Sequence, residues 1–428
     1  MTGMSFVATG DSFLTRRLSK KDYDRHLAEL IGKAEFRFTN LEVTLHHNEG
    51  YPSALSGGTW AMADPERLDD LKKYTFNCMT WANNHTLDYL YGGLSATERY
   101  LNASNIVHAG AGENLAAASS PKYLDCESGR VAIIGATSTF HDFWRAGEQR
   151  SDMKGRPGVN PLRYKTTYYV KPEHMKVLRE IADVTGMNAE NDLAIKEGFS
   201  AENDQFKFGE YTFCIGDKEG MVRVPYEKDL KRITKAIHEG KRQADYVIIS
   251  IHCHEMNKDR KDQAPDFLEA FARHCIDEGA HAVIGHGPHI LRGVEIYKNR
   301  PIFYSLGNFI FQNDSVQKLP SDFYEQYDLP LTATVADALD KRSNNNTKGL
   351  GVNKAVWESV VAFWEMKEGA LTSLTFYPIE LGYGLKRYRR GWPKLSDNIE
   401  ILKRLEILSK QYGTKFDIKD GTAKVMLN

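Results

Sequence analysis

Ala280-His281-Ala282-Val283-Ile284-Gly285-His286-Gly287-Pro288-His289 decides how this chain folds. Ala282 to Ile284 reads as a short buried strand, and Gly285 and Pro288 punctuate a tight loop at its carboxyl end. Such a loop lets His286 and His289 point into one small volume, and imidazole is the commonest metal ligand among side chains.

Working outward, Asp245 to Ile251 is a β-branched strand that delivers His252 to its end, with His254 on the same side of the pleat. Nearer the amino terminus, three more strand-like runs end in polar residues. Phe6-Val7-Ala8 leads to Thr9-Gly10-Asp11, Phe36 to Leu41 leads to Glu42, and Phe76 to Ala82 leads to Asn83-Asn84-His85. Each has an ordinary alternative. Asp11 could cap a following helix, Glu42 could be a surface carboxylate, and the Asn pair could form a turn. Their recurrence at successive strand ends points instead to one shared site, because open α/β sheets gather ligands outside the carboxyl ends of their strands.

Val131 to Ile134 is a continuous apolar run of the kind buried on both faces. Helical periodicity is predicted over 20–33, 68–73, 95–103, 172–184, 225–238, 265–279 and 396–411, with strands at 356–367 and 371–381. Strands alternating with helices predict an α/β fold built in layers. One domain spanning 1–428 is expected, with a charged, substrate-shaping insertion at about 141–225 and a mobile excursion at about 315–350. Arg145, Arg150 and Arg156 in the insertion are candidate anion clamps, set against a solvated charged face.

Composition excludes several classes. The 428 residues carry a net charge of −1, so there is no electrostatic footprint for nucleic acid. The 5 Cys are scattered without a CxxC, which argues against a disulfide framework and a thiolate zinc site and fits a reducing compartment. No run approaches the roughly 20 apolar residues of a spanning helix, and the first residues lack a signal-peptide pattern. A soluble, cytoplasmic chain without a membrane anchor is expected.

Asp11, Glu42, Asn84, His85, His252, His286 and His289 together offer two carboxylates, one amide oxygen and four imidazoles. A mixed nitrogen and oxygen shell suits Zn, Mn, Fe or Co. The set is large enough for two divalent ions, which a bridging carboxylate would hold about 3.5–4 Å apart.

The order Gly-Asp, Asn-x-Glu, Asn-Asn-His, strand-His, Gly-His-x-Pro-His resembles the capsule-synthesis protein CapA family, named for poly-γ-glutamate synthesis, in the calcineurin-like metallophosphoesterase superfamily. Gly155 to Pro161, Ser305 to Phe309 and Gly391-Trp392-Pro393 extend the likeness over nearly the whole chain. The resemblance implies a metallophosphoesterase-like α/β-β/α sandwich with central mixed sheets. It implies a CapA-like metal-dependent hydrolase using a metal-activated hydroxide on a phosphoester or an amide (γ-glutamyl) bond, with a small-molecule or polyanionic substrate. The alternative is a non-catalytic accessory protein of capsule synthesis or export. By the same resemblance Asp11 and His289 serve one metal, Asn84, His252 and His286 the other, and Glu42 lies between. His85 becomes the non-ligand acid. Apart from the resemblance, guanidinium chemistry makes Arg145, Arg156 and Arg292 candidates to hold anionic groups of the substrate, and His254 is a candidate to line the substrate pocket, with a metal ligand or a partner of one as the alternative. Three positions depart from the pattern. Phe13 replaces a His of the superfamily's first motif, Glu42 replaces its bridging Asp, and Cys253-His254-Glu255 stands where a Trp-Gly pair is common.

Overall fold

In the strand Tyr246–His252, alternation sends Tyr246 and Ile248 to one apolar layer and Val247, Ile249 and Ile251 to another. The same split recurs in Met4–Phe13, where Met4, Phe6 and Ala8 face inward and Val7 outward. Two sheets whose inner faces are both apolar must pack on each other, and their outer faces must be covered by helices. The computed structural model describes residues 3–201 and 205–427 and has this layering: helix, sheet, sheet, helix.

The first sheet has 10 strands. Its main path runs Phe416–Lys419, Thr422–Val425, Ala370–Glu380, Glu358–Lys367, Met4–Phe13, Phe36–Leu41, Cys78–Thr80 and Val107–Ala109. The second has 6, in the order Val294–Tyr297, Arg300–Phe303, Ala282–His286, Tyr246–His252, Gly129–Thr137 and Lys122–Cys126. The first sheet is parallel from Met4–Phe13 out to its edge at Val107–Ala109 and antiparallel on the other side, and the second has a parallel centre with antiparallel edges. The expected α/β class with central mixed sheets is therefore observed.

Helices Arg25–Gly32, Arg67–Lys72 and Leu90–Ala103 cover the first sheet through Leu27, Ile31, Leu68, Leu71 and Leu94. Glu227–Gln243 and Asp266–Asp277 cover the second through Ile233, Ile237, Phe267 and Phe271. Among the described residues, no helix is long and apolar enough to cross a membrane.

Asp11 is not a helix cap. It lies inside the strand Met4–Phe13, and the next helix begins only at Arg25. At Gly10 a Cβ would sit 1.8 Å from the Gly307 carbonyl oxygen, so only glycine lets Asp11 N–H reach that oxygen at 3.0 Å.

Residues 141–225 carry a separate 4-stranded sheet and the helices Pro172–Thr185 and Ala189–Lys196. Tyr164 stacks on Phe267 at 4.3 Å, and Arg163 grips the buried Asp229 at 2.8 Å, which ties this unit to the second helix layer. Residues 315–350, expected to be a mobile excursion, hold the helices Ser321–Gln326 and Val335–Ser343. Their buried Phe323 and Ala338 share a small core with Trp60 and Tyr89, and a capping box at Thr334 and Asp337 starts the second helix.

Candidate metal centre

The inward faces of the two sheets change from apolar to polar at the carboxyl ends of their parallel strands. Behind Ile248 come Ser250 and His252; behind Ile284 comes His286; behind Phe38 comes Asn40. Register brings them together. His252 pairs with His286, Asp11 with both Asn40 and Asn308, and Asn40 with Thr80. The sheets thus form a polar pit at one end of the sandwich, as expected for ligands of an α/β sheet.

Asp11 is fully buried, with Oδ1 3.3 Å from His286 Nδ1 and 3.6 Å from His252 Nδ1, and Oδ2 3.8 Å from His289 Nδ1. Its orientation is fixed by the Asn40 amide, which donates at 2.8 Å, and by Gly287 N–H at 2.9 Å. Glu42, also fully buried, places Oε1 3.6 Å from His252 Nε2, 3.8 Å from His289 Nε2 and 4.0 Å from His254 Nε2. Asn84 Oδ1 lies 2.7 Å from His252 Nε2, while its amide nitrogen donates to Gly57 carbonyl at 3.3 Å. Six residues named from the sequence as ligands therefore converge, and His254 joins them. The two carboxylates divide the imidazoles differently from the partition the resemblance implies. Asp11 faces His252, His286 and His289; Glu42 faces His252, His254 and His289.

Second partners orient the rings, and His252 Nδ1 and His286 Nδ1 meet at 2.9 Å. His286 Nε2 bonds Ser250 Oγ at 2.7 Å, and Ser250 bonds Thr80 Oγ1 at 2.8 Å, which leaves Nδ1 aimed at Asp11. His289 Nδ1 donates to Asn308 Oδ1 at 2.9 Å, which frees Nε2 toward Glu42. Fixing one ring nitrogen to present the other is how proteins orient imidazole ligands. His289 also adopts a left-handed φ of 60°, a conformation held here by its neighbours.

Electrostatics fit a cation. Both Glu42 carboxylate oxygens and His254 Nε2 are buried with no hydrogen-bond partner. Burial, then the charges of Asp11 and Asp88, push the Glu42 carboxyl well above its ordinary range. Burial also opposes ionisation of Asp11, but adjacent His252 and His286 outweigh it and hold its carboxyl well below the usual range. Desolvation pulls His252 and His289 down to about 4 and His254 well below its ordinary value, so these rings stay neutral with lone pairs available. Asp11, Glu42, His252, His254, His286 and His289 form three overlapping triplets whose ligand atoms lie within 4.8 Å of one another. The donor set is that of borderline divalent ions.

His85 stands beside this cluster, with Nδ1 2.7 Å from Asp88 Oδ2. Asp88 escaped the sequence reading, although its signal, an acid three residues after the His, was present. Phe13 packs edge-on to His85, with ring centres 5.2 Å apart.

The arginines named from the sequence lie elsewhere. Arg145 Nε donates to Asp142 carbonyl at 3.0 Å and Arg156 Nε to Arg145 carbonyl at 2.9 Å, so both brace their own loop. Neither lines the cavity onto which His85 and His289 open. Arg292 is completely buried and donates to the carbonyls of Lys261, Cys253 and Glu255 at 3.0, 3.3 and 2.6 Å. It braces the segment bearing His254 and cannot reach a substrate. The cavity holds about 330 Å³, and its outer wall comes from residues 313–351 and from Arg387 and Arg390.

Comparison with known proteins agrees with the motifs. The y4sH protein of Sinorhizobium fredii is 36% identical over 441 aligned positions, covering 99% of this chain and 93% of that one. The capsule biosynthesis protein CapA of Bacillus anthracis is 25% identical over 289 positions, which cover 67% of this chain and 53% of that protein. A novel phosphatase from Mycoplasma pneumoniae superposes with a TM-score of 0.42 and 12% identity, covering 89% of this chain and 94% of that one. The family model for the bacterial capsule synthesis protein PGA_cap matches residues 5–313, a span holding every residue of the polar pit, and the chain belongs to that family.

Proposed function

We propose that this chain is a divalent-metal-dependent hydrolase acting on a phosphoester or an amide (γ-glutamyl) bond. Asp11, Glu42, Asn84, His252, His254, His286 and His289 would hold two ions, with Mn, Zn, Fe or Co compatible with the donor set. The observation that carries this reading is Glu42, a fully buried carboxylate with neither oxygen hydrogen-bonded, facing three neutral imidazoles. Burial and the neighbouring acids oppose ionisation of this carboxyl, and as a carboxylate it would cost on the order of several kcal/mol without a partner, a cost that a bound cation removes.

Ions bound there would acidify a water and polarise the attacked phosphoryl or carbonyl oxygen. The chain's own residues do the rest. Asp88 accepts the Nδ1 proton of His85, so the opposite ring nitrogen is free to take up a proton and, as imidazolium, to pass it to a leaving group in the cavity that His85 lines. Phe13 closes one side of His85 with an apolar edge and limits water there. Gly57 carbonyl holds the Asn84 amide so that its oxygen stays turned toward His252.

The name of the Bacillus anthracis relative speaks of capsule biosynthesis, and a second reading gives this chain a non-catalytic part in such a process. Metal content of the purified wild type and of His286→Ala, measured side by side, separates the two. Two divalent ions per chain, lost in the variant together with turnover of phosphoesters or γ-glutamyl amides, support the hydrolase. No ion in the wild type after loading with manganese or zinc overturns it.

A further inference from the structure

The cavity in front of His85 and His289 runs outward to four cationic side chains, Arg342, Lys348, Arg387 and Arg390. Two of them are neutralised. Arg390 Nε donates to Asp314 Oδ2 at 2.9 Å, and Arg387 Nη1 lies 2.8 Å from Asp340 Oδ1. Among the described residues, Arg342 and Lys348 have no carboxylate partner. Arg342 donates to the Thr59 hydroxyl and stands 5.5 Å from the centre of the Phe323 ring, which leaves most of its five donors unused.

Burial pulls the Arg342 guanidinium below its ordinary value, so it is not a freely solvated surface charge. Other well-buried arginines here are fully braced. Arg292 has three carbonyls, and Arg232 has the carboxylate of Asp229. Arg342 alone among these meets one neutral oxygen. A half-buried cation with spare donors, lining the same cavity as a second, exposed cation, is an arrangement that recognises an anion. The backbone beyond Lys348 leaves room for one. Gly349 has a φ of 88°, and no atom lies within 4 Å of where a Cβ would be.

We propose that Arg342 and Lys348 bind a second anionic group of the substrate, a carboxylate or phosphate, at the far end of the cavity from the metal-ligand cluster. The proposal rests on the hydrolase reading and narrows it. The substrate carries a negative group separated from the bond that is cleaved, and that group sets which end enters the polar pit. A neutral ester of the same size would lack this anchor.

Isothermal titration of the full chain as purified, and of His286→Ala, with glutarate and with inorganic phosphate tests this. Arg342→Gln, Lys348→Gln and the double variant are titrated alongside, with thermal midpoints confirming that each is folded. His286→Ala, in which the metal centre no longer competes as an anion site, should still bind the preferred probe, and the double variant should bind it about tenfold more weakly or worse, as loss of charge-assisted hydrogen bonds predicts. Preference for glutarate identifies a carboxylate anchor, and preference for phosphate a phosphoryl one. The proposal is overturned if the double variant binds as tightly as wild type, if His286→Ala abolishes binding, or if wild type binds neither probe below about 10 mM. Failure of the hydrolase reading itself would show separately, as absence of metal from the wild type.

Discussion

Asp88 Oδ2 lies 2.7 Å from His85 Nδ1 and accepts the backbone N–H of Ala61 at the same distance, so one buried oxygen fixes both a ring and the strand beside it. The pairing makes His85 a ring of defined tautomer rather than a rotating surface imidazole. Asp88→Asn keeps the shape but offers a donor as readily as an acceptor. It should lower kcat about 10–100-fold, the usual effect of losing a partner that orients a functional imidazole, while metal content stays at the wild-type level. Steady-state kinetics and metal analysis on one preparation check this. Loss of metal along with rate would mean that Asp88 supports the ligands instead.

Ser250 is the second test of orientation. Its hydroxyl joins His286 to Thr80 inside the inter-sheet layer. Ser250→Ala removes the partner that leaves Nδ1 facing Asp11, and the affinity for manganese should fall about 10–100-fold. Titration calorimetry gives that number directly. An unchanged affinity would show that packing alone orients the ring.

His254 was expected to contact substrate, yet its Nε2 is buried, unpartnered and 4.0 Å from Glu42. His254 is placed to complete the proposed donor set with Glu42 and His252. His254→Ala should weaken one of two ions by at least the about 10–100-fold that loss of an outer partner costs, and leave the other bound. Two resolved binding phases in the wild type and one displaced phase in the variant are the expected calorimetric result.

Asp229 tests the attachment of the 141–225 unit. Burial disfavours its charge, but Arg163 and Arg232 more than compensate and hold its carboxyl below the ordinary value. A carboxyl lowered on folding contributes stability above its unfolded value of about 3.9, and that contribution is lost as pH falls through the folded value. Asp229→Asn should therefore cost about 3 kcal/mol at pH 7, because two arginines lose their buried partner. The gap to wild type should narrow as pH drops below about 4. Denaturant midpoints at a series of pH values test both the size and the sign.

The fold and most of the pit were legible because their signals are local. A strand and the ligand at its end occupy adjacent residues, so Asp11, Glu42, Asn84, His252, His286 and His289 could be read without knowing what packs where. Burial is not local. Arg292 was a candidate to hold an anionic group of the substrate, and only the structure shows its guanidinium spent on three carbonyls. Arg145 and Arg156 are likewise absorbed by their own loop. Arg342 went unread for the opposite reason: it sits in a segment whose composition suggested an excursion, and its place at the cavity comes from the burial of Phe323 and Ala338. The Thr334-to-Asp337 capping box was the overlooked clue that this segment is helical.

The contact between Gly10 and the Gly307 carbonyl gives the two ends of the matched region a common fate. Neither backbone leaves space for a methyl group on the first glycine, so the segment bearing Asp11 is moulded on the segment bearing Asn308, and each is shaped by the other. In space they are one motif written in two places of the sequence. A recombination that replaces the front of the gene with that of a distant relative succeeds only if the incoming strand still fits the loop it did not bring with it. A chimera joined between them would be judged at this one carbonyl before any metal or substrate could matter.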